Sequence, residues 1–181
     1  ALLLIVFLLS LSTPALAADP GNGVIEGQLV NGTAGGSSVA GQTVTLTTYF
    51  NDAETGNSSV KTGAEGKFVF NGLSTASGNS YDVKLRYQDA DYTGERLSLA
   101  DNETTKSTAV TVYDSTDSDS AISITAAHIV VYPGDGILEV REILRFTNAS
   151  DRSYVGSGEI TSTGGKRTLR LPLPAEATDL Q

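Results

Sequence analysis

The chain has 181 residues, a formal net charge of −9, no Cys, no Trp and a single His. That inventory excludes a disulfide scaffold, zinc sites built from Cys or several His and, for this stretch, lipid anchoring through a lipobox Cys. The acidic balance argues against nucleic acid, whose phosphates need a basic footprint, and against electrostatic attraction to anionic lipid. Solubility accounts for the acidity, with steering of cations or of a ligand as the alternative.

Leu2 to Leu11 is almost purely apolar, Ser12-Thr13-Pro14 breaks the run, and Ala15-Leu16-Ala17 follows. An h-region followed by Ala-x-Ala predicts a signal peptide over residues 1–17, cut between Ala17 and Ala18. A run of about ten apolar residues is too short to cross a hydrocarbon layer of about 30 Å as a helix. With no initiator Met and no basic n-region, the segment reads as a signal peptide entered part-way. An uncleaved anchor is the other reading.

After a polar leader, strand, turn and strand follow at short spacing, which predicts an all-β sandwich, and Ala34-Gly35-Gly36-Ser37-Ser38 predicts a flexible loop. Val44 and Leu46 alternate with Thr43, Thr45 and Thr47. Thr62-Gly63-Ala64-Glu65-Gly66 predicts a tight turn, and Phe68 and Phe70 share one face of a short strand that ends in a second turn at Gly72. Leu73 is expected to point back to the core. Tyr81, Val83, Leu85 and Tyr87 alternate with Asp82, Lys84 and Arg86, which predicts one buried and one wet face. Ala109 to Tyr113 is expected to close the domain.

The polar acidic run 114–120 predicts an interdomain linker. Beyond it, Ile122, Ile124 and Ala126 alternate, Ile129 to Tyr132 reads as a buried strand, and Pro133-Gly134-Asp135-Gly136 as a turn. Leu138, Val140, Leu144 and Phe146 predict one face of a long strand, and Leu169, Leu171 and Leu173 another apolar row closed by Pro172 and Pro174. Residues 121–181 fall short of the about 100 residues of an Ig-size sandwich. They are expected to be part of a second β-sandwich.

The stretch 23–113 resembles the carboxypeptidase regulatory-like domain, a transthyretin-like sandwich also grouped with starch-binding-like folds. The resemblance rests on the opening strand Gly23–Val30, on the V-x-G-x-x-V-x-L pattern from Val39 to Leu46, on Gly66-Lys67-Phe68-Val69-Phe70-Asn71-Gly72-Leu73, and on Tyr81 to Tyr87. The Asn51–Ser59 connection and the Tyr87–Thr108 segment depart from a compact member, as does Ala64-Glu65, where the family often has Asp. Within Tyr87–Thr108, Asp89 to Glu95 resembles the connection that follows the family's last long strand. The resemblance implies an all-β, Ig/transthyretin-like antiparallel β-sandwich. It implies no activity, because one fold hosts many functions. In metallocarboxypeptidases such a sandwich is an accessory beside the catalytic domain.

The candidate chemistry is sparse. His128, beside the strand Ile129–Tyr132, is expected to be a strand-edge His; no Gly-x-Ser-x-Gly elbow supports it as a base. Gly164-Gly165-Lys166-Arg167 fails as a P-loop and Gly134-Asp135-Gly136 as a dinucleotide loop, so both are expected to be hairpin turns. Asp114, Asp117 and Asp119 offer oxygens to Ca²⁺, against the reading of a solvated linker. Glu142 shares its alternation with Leu138 and Val140 and is expected to face inward, as a guard against edge pairing, as a partner of Arg152, Arg167 or Arg170, or as a ligand contact. Tyr49, Phe50, Tyr92, Tyr132 and Tyr154 are the candidate rings for stacking on sugar, or else covers for the sandwich ends. Asn31, Asn57, Asn102 and Asn148 begin N-glycosylation triplets, three of them in expected loops.

No catalytic residue, cofactor or resident metal is expected. The expected function is a non-enzymatic, exported β-sandwich module of a cell-surface or secreted protein: a spacer, adhesion or binding unit. The alternatives are a carbohydrate-binding accessory of an extracellular enzyme and an accessory domain of a secreted peptidase or outer-membrane receptor. The expected partner is a protein or glycan at the cell surface, with no nucleic acid. Membrane association is expected only through export or an anchor outside these residues.

Overall fold

The computed structural model describes residues 21–100, 102–158, 160–162, 164–169, 171, 175, 177 and 178. The signal-peptide segment, Arg170, Pro172, Leu173 and Pro174 lie outside the described residues. The protein is all-β, with no helix among the described residues. Its strands are β1 (Gly23–Asn31), β2 (Thr43–Phe50), β3 (Ala53–Lys61), β4 (Lys67–Leu73), β5 (Asn79–Tyr87), β6 (Ala90–Thr93), β7 (Thr105–Val112), β8 (Ser115–Thr116), β9 (Ile122–Pro133), β10 (Leu138–Asn148) and β11 (Ser153–Tyr154).

Two sheets face each other. One has the order β4-β1-β7 and the other β3-β2-β5-β6. Alternation decides which side chains lie between them, because successive residues of a strand point to opposite faces. Ile25 and Leu29 of β1, Phe68 and Phe70 of β4, and Val110 and Val112 of β7 meet Val44 and Leu46 of β2 and Tyr81, Val83, Leu85 and Tyr87 of β5 in one buried cluster. Leu99 closes it, and the hydroxyl of the buried Tyr81 donates to the Ser74 carbonyl at 2.7 Å. The rows expected from the sequence are thus the inner faces of a β-sandwich.

Two glycines permit this packing. Gly27 stands directly opposite Phe68 in the β1–β4 ladder, and a Cβ there would occupy the space of the Phe68 ring. Gly66 closes the turn before β4 at φ 77°, where a Cβ would also strike the Leu29 carbonyl. Only glycine takes that conformation without strain.

Several expectations give way. Residues 51–59 are not a long connection. Asn51 and Asp52, at φ 49° and 64°, make a two-residue turn, and β3 follows. Such turns need positive φ at both positions, which Asn and Asp tolerate. β3 escapes sequence reading because it is an edge strand in which every residue but Val60 is exposed, so no apolar alternation marks it. Gln88 and Asp89, at φ 45° and 67°, make the second such turn and lead into β6, where a connection was expected. β1 and β7 run parallel, from Val24 beside Thr105 to Asn31 beside Val112; periodicity is blind to strand direction.

The second unit is the long β9–β10 hairpin, and among the described residues no second layer covers it. Leu138, Val140 and Ile129 are 67%, 58% and 62% exposed. Glu142, opposite Ile129 on the same face, is therefore exposed rather than inward. Leu169 and Leu171 are exposed and lie in no strand. The two glycine-rich stretches are turns: Gly134 donates to the Ile137 carbonyl at 3.0 Å, and Ile160 bridges to Lys166 around Gly164.

Leu46 is fully buried, while Val69 of β4 points outward and is 42% exposed. Leu46→Ala is expected to cost about 2–5 kcal/mol in urea unfolding, and Val69→Ala no more than about 0.5 kcal/mol. Equal costs would contradict the assignment of inner and outer faces.

Candidate functional site

The ends of β5 mark two polar sites, and its outer face joins one of them. At its C-terminal end lies Asp114, which the sequence places in a solvated linker. The structure corrects this: Asp114 is only 7% exposed. Its Oδ1 accepts from Asn31 Nδ2 at 2.7 Å, from the Tyr87 hydroxyl at 2.9 Å and from Gln88 Nε2 at 3.2 Å. Its Oδ2 accepts from the Ser37 amide at 2.9 Å and the Ser37 hydroxyl at 3.1 Å. Its own amide donates to Thr33 Oγ1 at 2.9 Å, and that hydroxyl donates to the Asp151 carbonyl at 2.7 Å.

Desolvation alone would push the Asp114 carboxyl up. The donors from Asn31, the Ser37 amide, Tyr87 and the Ser37 hydroxyl overcome it and hold the pKa down at about 2. Burial, reinforced by this carboxylate, raises the Tyr87 phenol and keeps it a donor. With its oxygens committed to donors, Asp114 is a structural anchor. Asp117 and Asp119 are exposed, and no group of three or more His, Cys, Asp or Glu among the described residues can hold a metal ion.

The anchor continues into the second unit. The amide of Ala34 donates to Asp151 Oδ2 at 2.9 Å, and β8 pairs with β11 in parallel. The Tyr92 hydroxyl takes the Tyr113 amide at 3.0 Å and shares a hydrogen bond of 2.6 Å with Ser153. Residues 114–116 are therefore a clasp, and only the exposed remainder of the run, 117–120, has the character of a linker.

At the other end of β5 is an open groove of about 600 Å³, lined among others by Asn51, Asp52, Asn79, Ser80, Arg96 and Ser98. Arg96 reaches Asp82 with two bonds, Nε to Oδ1 at 2.9 Å and a terminal nitrogen to Oδ2 at 3.0 Å, and gives its other terminal nitrogen to Asp52 at 3.0 Å. That planar fork suits a carboxylate. Arg96 holds the Asp82 carboxyl below its ordinary range. The guanidinium lies 4.3 Å from the centre of the Tyr49 ring, and Lys84 donates to the Tyr49 hydroxyl at 2.8 Å. Tyr49 is thus covered by cations and is not an open platform. Phe50 beside it is 48% exposed.

The remaining candidates scatter. Tyr132 and Glu142 stand exposed on the hairpin, and His128 is exposed within β9 opposite Ile143. Tyr154 lines a smaller groove of about 400 Å³ with Arg86, Asp91 and Lys166. Of the glycosylation triplets only Asn102 lies outside the strands; Asn31 ends β1, Asn57 is in β3 and Asn148 ends β10. The Asn31 amide is committed to Asp114, so carrying a glycan there would break the clasp.

Sequence reading missed Asn31, Thr33, Ser37 and Gln88 around Asp114, and Arg96 with Asp82. The one local signal is Gln88-Asp89, directly after the alternating row that ends at Tyr87, where a two-residue turn places Gln88 at the strand end. Comparisons with protein-family models, with curated proteins and with solved structures return no match. Fold and site together define an all-β protein, a β-sandwich clasped to a β-hairpin.

The depressed pKa fixes the sign of the acid response. A carboxyl at about 2 when folded and about 3.8 when unfolded stabilises fully above the higher value and loses that contribution as pH falls toward 2. Asp114→Asn is expected to lower the melting temperature at pH 6, and the gap to the parent protein is expected to narrow between pH 4 and pH 2. A gap independent of pH would contradict the anchor.

Proposed function

We propose that the chain is a non-enzymatic, exported β-sandwich module of a cell-surface or secreted protein, acting as a spacer, adhesion or binding unit. One observation carries this reading: the sandwich is tied by hydrogen bonds and a short strand pair to the next β unit. The Asp114 anchor, the Thr33–Asp151 bond and the β8–β11 pair lie where one unit passes into the other. A unit whose task is to project a neighbour needs a junction with fixed geometry, whereas a flexible linker would let the neighbour wander. The resemblance to carboxypeptidase regulatory-like domains and the signal-like segment 1–17 are consistent with this role.

Expression of the chain with its N-terminal segment behind a start codon is expected to place a protein beginning at Ala18 outside the cytoplasm, as read by N-terminal sequencing of cell fractions. Retention of the whole chain inside the cell would overturn the reading.

The groove lined by Arg96 and by Gly78, against which the exposed Phe50 ring packs, favours a second reading, a carbohydrate-binding accessory domain. Amide and carboxylate groups beside an exposed ring suit the hydroxyls and apolar face of a sugar. On a glycan array this reading expects retention of a polysaccharide that Phe50→Ala abolishes. Loss of binding with Tyr132→Ala instead would move the site to the hairpin.

A further inference from the structure

We propose that the sandwich resists tension applied along the chain, with the parallel β1–β7 ladder as the resisting element and the Asp114 clasp as its lock; this rests on the reading of the chain as a unit in series. The chain comes into β1 at Gly23 and leaves β7 at Val112, at opposite ends of two parallel, neighbouring strands. Pulling the flanking segments apart drags β1 toward its start and β7 toward its end. The two strands must then slide past each other. Hydrogen bonds in a ladder run across the strands, so sliding strains all of them together. Had β7 run antiparallel to β1, the same pull would act at one end and open the ladder bond by bond.

Each end of the ladder is reinforced. The Val24 amide donates to Thr104 at 2.7 Å, and the Gly32 amide to Val112 at 2.8 Å. β1 cannot follow β7, because its other edge is paired with β4 and its Ile25 and Leu29 side chains are buried between the sheets. Val110 and Val112 hold β7 in the same core. The lock sits where force comes into β7. Asp114 follows that strand and binds Asn31 and, through its amide, Thr33, the residues that end β1 and follow it. Tension from the hairpin side must therefore break the clasp before it reaches the ladder. Tyr92 adds a second tie, to the Tyr113 amide.

The absence of Cys allows the test on the full chain, with thiol handles placed at will. Asn22→Cys with Ser118→Cys pulls the ladder in shear; Asn22→Cys with Asn102→Cys pulls at its two adjacent ends and peels it. Forced unfolding reads the unfolding rate under load. At one pulling speed, the shear pair is expected to unfold at no less than twice the force of the peel pair. Equal forces, or a stronger peel pair, overturn the proposal, while leaving the reading of an exported unit to the fractionation experiment. Asp114→Ala in the shear pair is expected to lower the force and in the peel pair to leave it unchanged. Thr33→Val provides the same comparison if the first variant does not fold. An unchanged shear force in the variant that folds removes the clasp from the proposal.

Discussion

The arrangement depends on one carboxylate taken out of water. A buried charge is tolerated only where hydrogen bonds replace its hydration, and Asp114 meets that condition with neutral donors from Asn31, Ser37, Tyr87 and Gln88 rather than with a cation. Each donor belongs to a different part of the chain: the end of β1, the loop that follows, the end of β5 and its turn. One acceptor therefore fixes four segments relative to the end of β7. It also explains Gln88, a residue type that does not favour the left-handed region it occupies at φ 45°. That conformation costs about 1–2 kcal/mol for an ordinary residue. Here the side chain is held by Asp114 and by the Ser115 amide, which donates to its Oε1 at 2.8 Å.

At the groove end the same fold handles charge differently. Asp82 lies on the outer face of the four-stranded sheet and is only 7% exposed, yet its partner is a cation, Arg96, itself laid over Tyr49. An outer-face cluster of this kind covers strand surface with guanidinium and ring rather than with another layer, and it connects β2, β5 and the segment after β6. The sandwich is thus polar at both ends for opposite reasons. One end is neutral donors around a buried anion. The other is a charged fork beside an open groove.

The inner faces could be read directly from the sequence. Tyr81, Val83, Leu85 and Tyr87, with Val44 and Leu46 and with Phe68 and Phe70, follow a period of two, and each is buried in the core. The Gly66 turn could be read because glycine there has a steric cause. Other features leave no trace in a local pattern. β3 has no apolar row. The β1–β7 pairing joins strands separated by most of the domain, and alternation does not tell parallel from antiparallel. Asp114 looked like one more residue of an acidic run, because its donors Asn31 and Ser37 come from the other end of the domain. Part of the candidate site was therefore invisible for the reason that makes it a clasp: it is built from residues remote in sequence.

Glu142 shows the complementary error. Period two correctly places it on one face with Leu138 and Val140, but alternation defines a face without saying that anything covers it. In the sandwich the facing sheet supplies that cover. In the β9–β10 hairpin, face-sharing pairs such as Val131 with Val140 stand in the open, and the Glu142 charge among them is exposed. A two-stranded ribbon is marginal by itself in water. Beyond its own ladder, the described contacts that steady this one lie at its base: Ala149 donates to the Ala121 carbonyl at 3.0 Å, Asn148 Nδ2 to the Arg152 carbonyl at 2.7 Å, and Asp151 and Ser153 are bound to the sandwich. The polar junction thus orders the hairpin as well as the sandwich end, and a ribbon that no second layer covers among the described residues depends on a network of buried and part-buried hydrogen bonds.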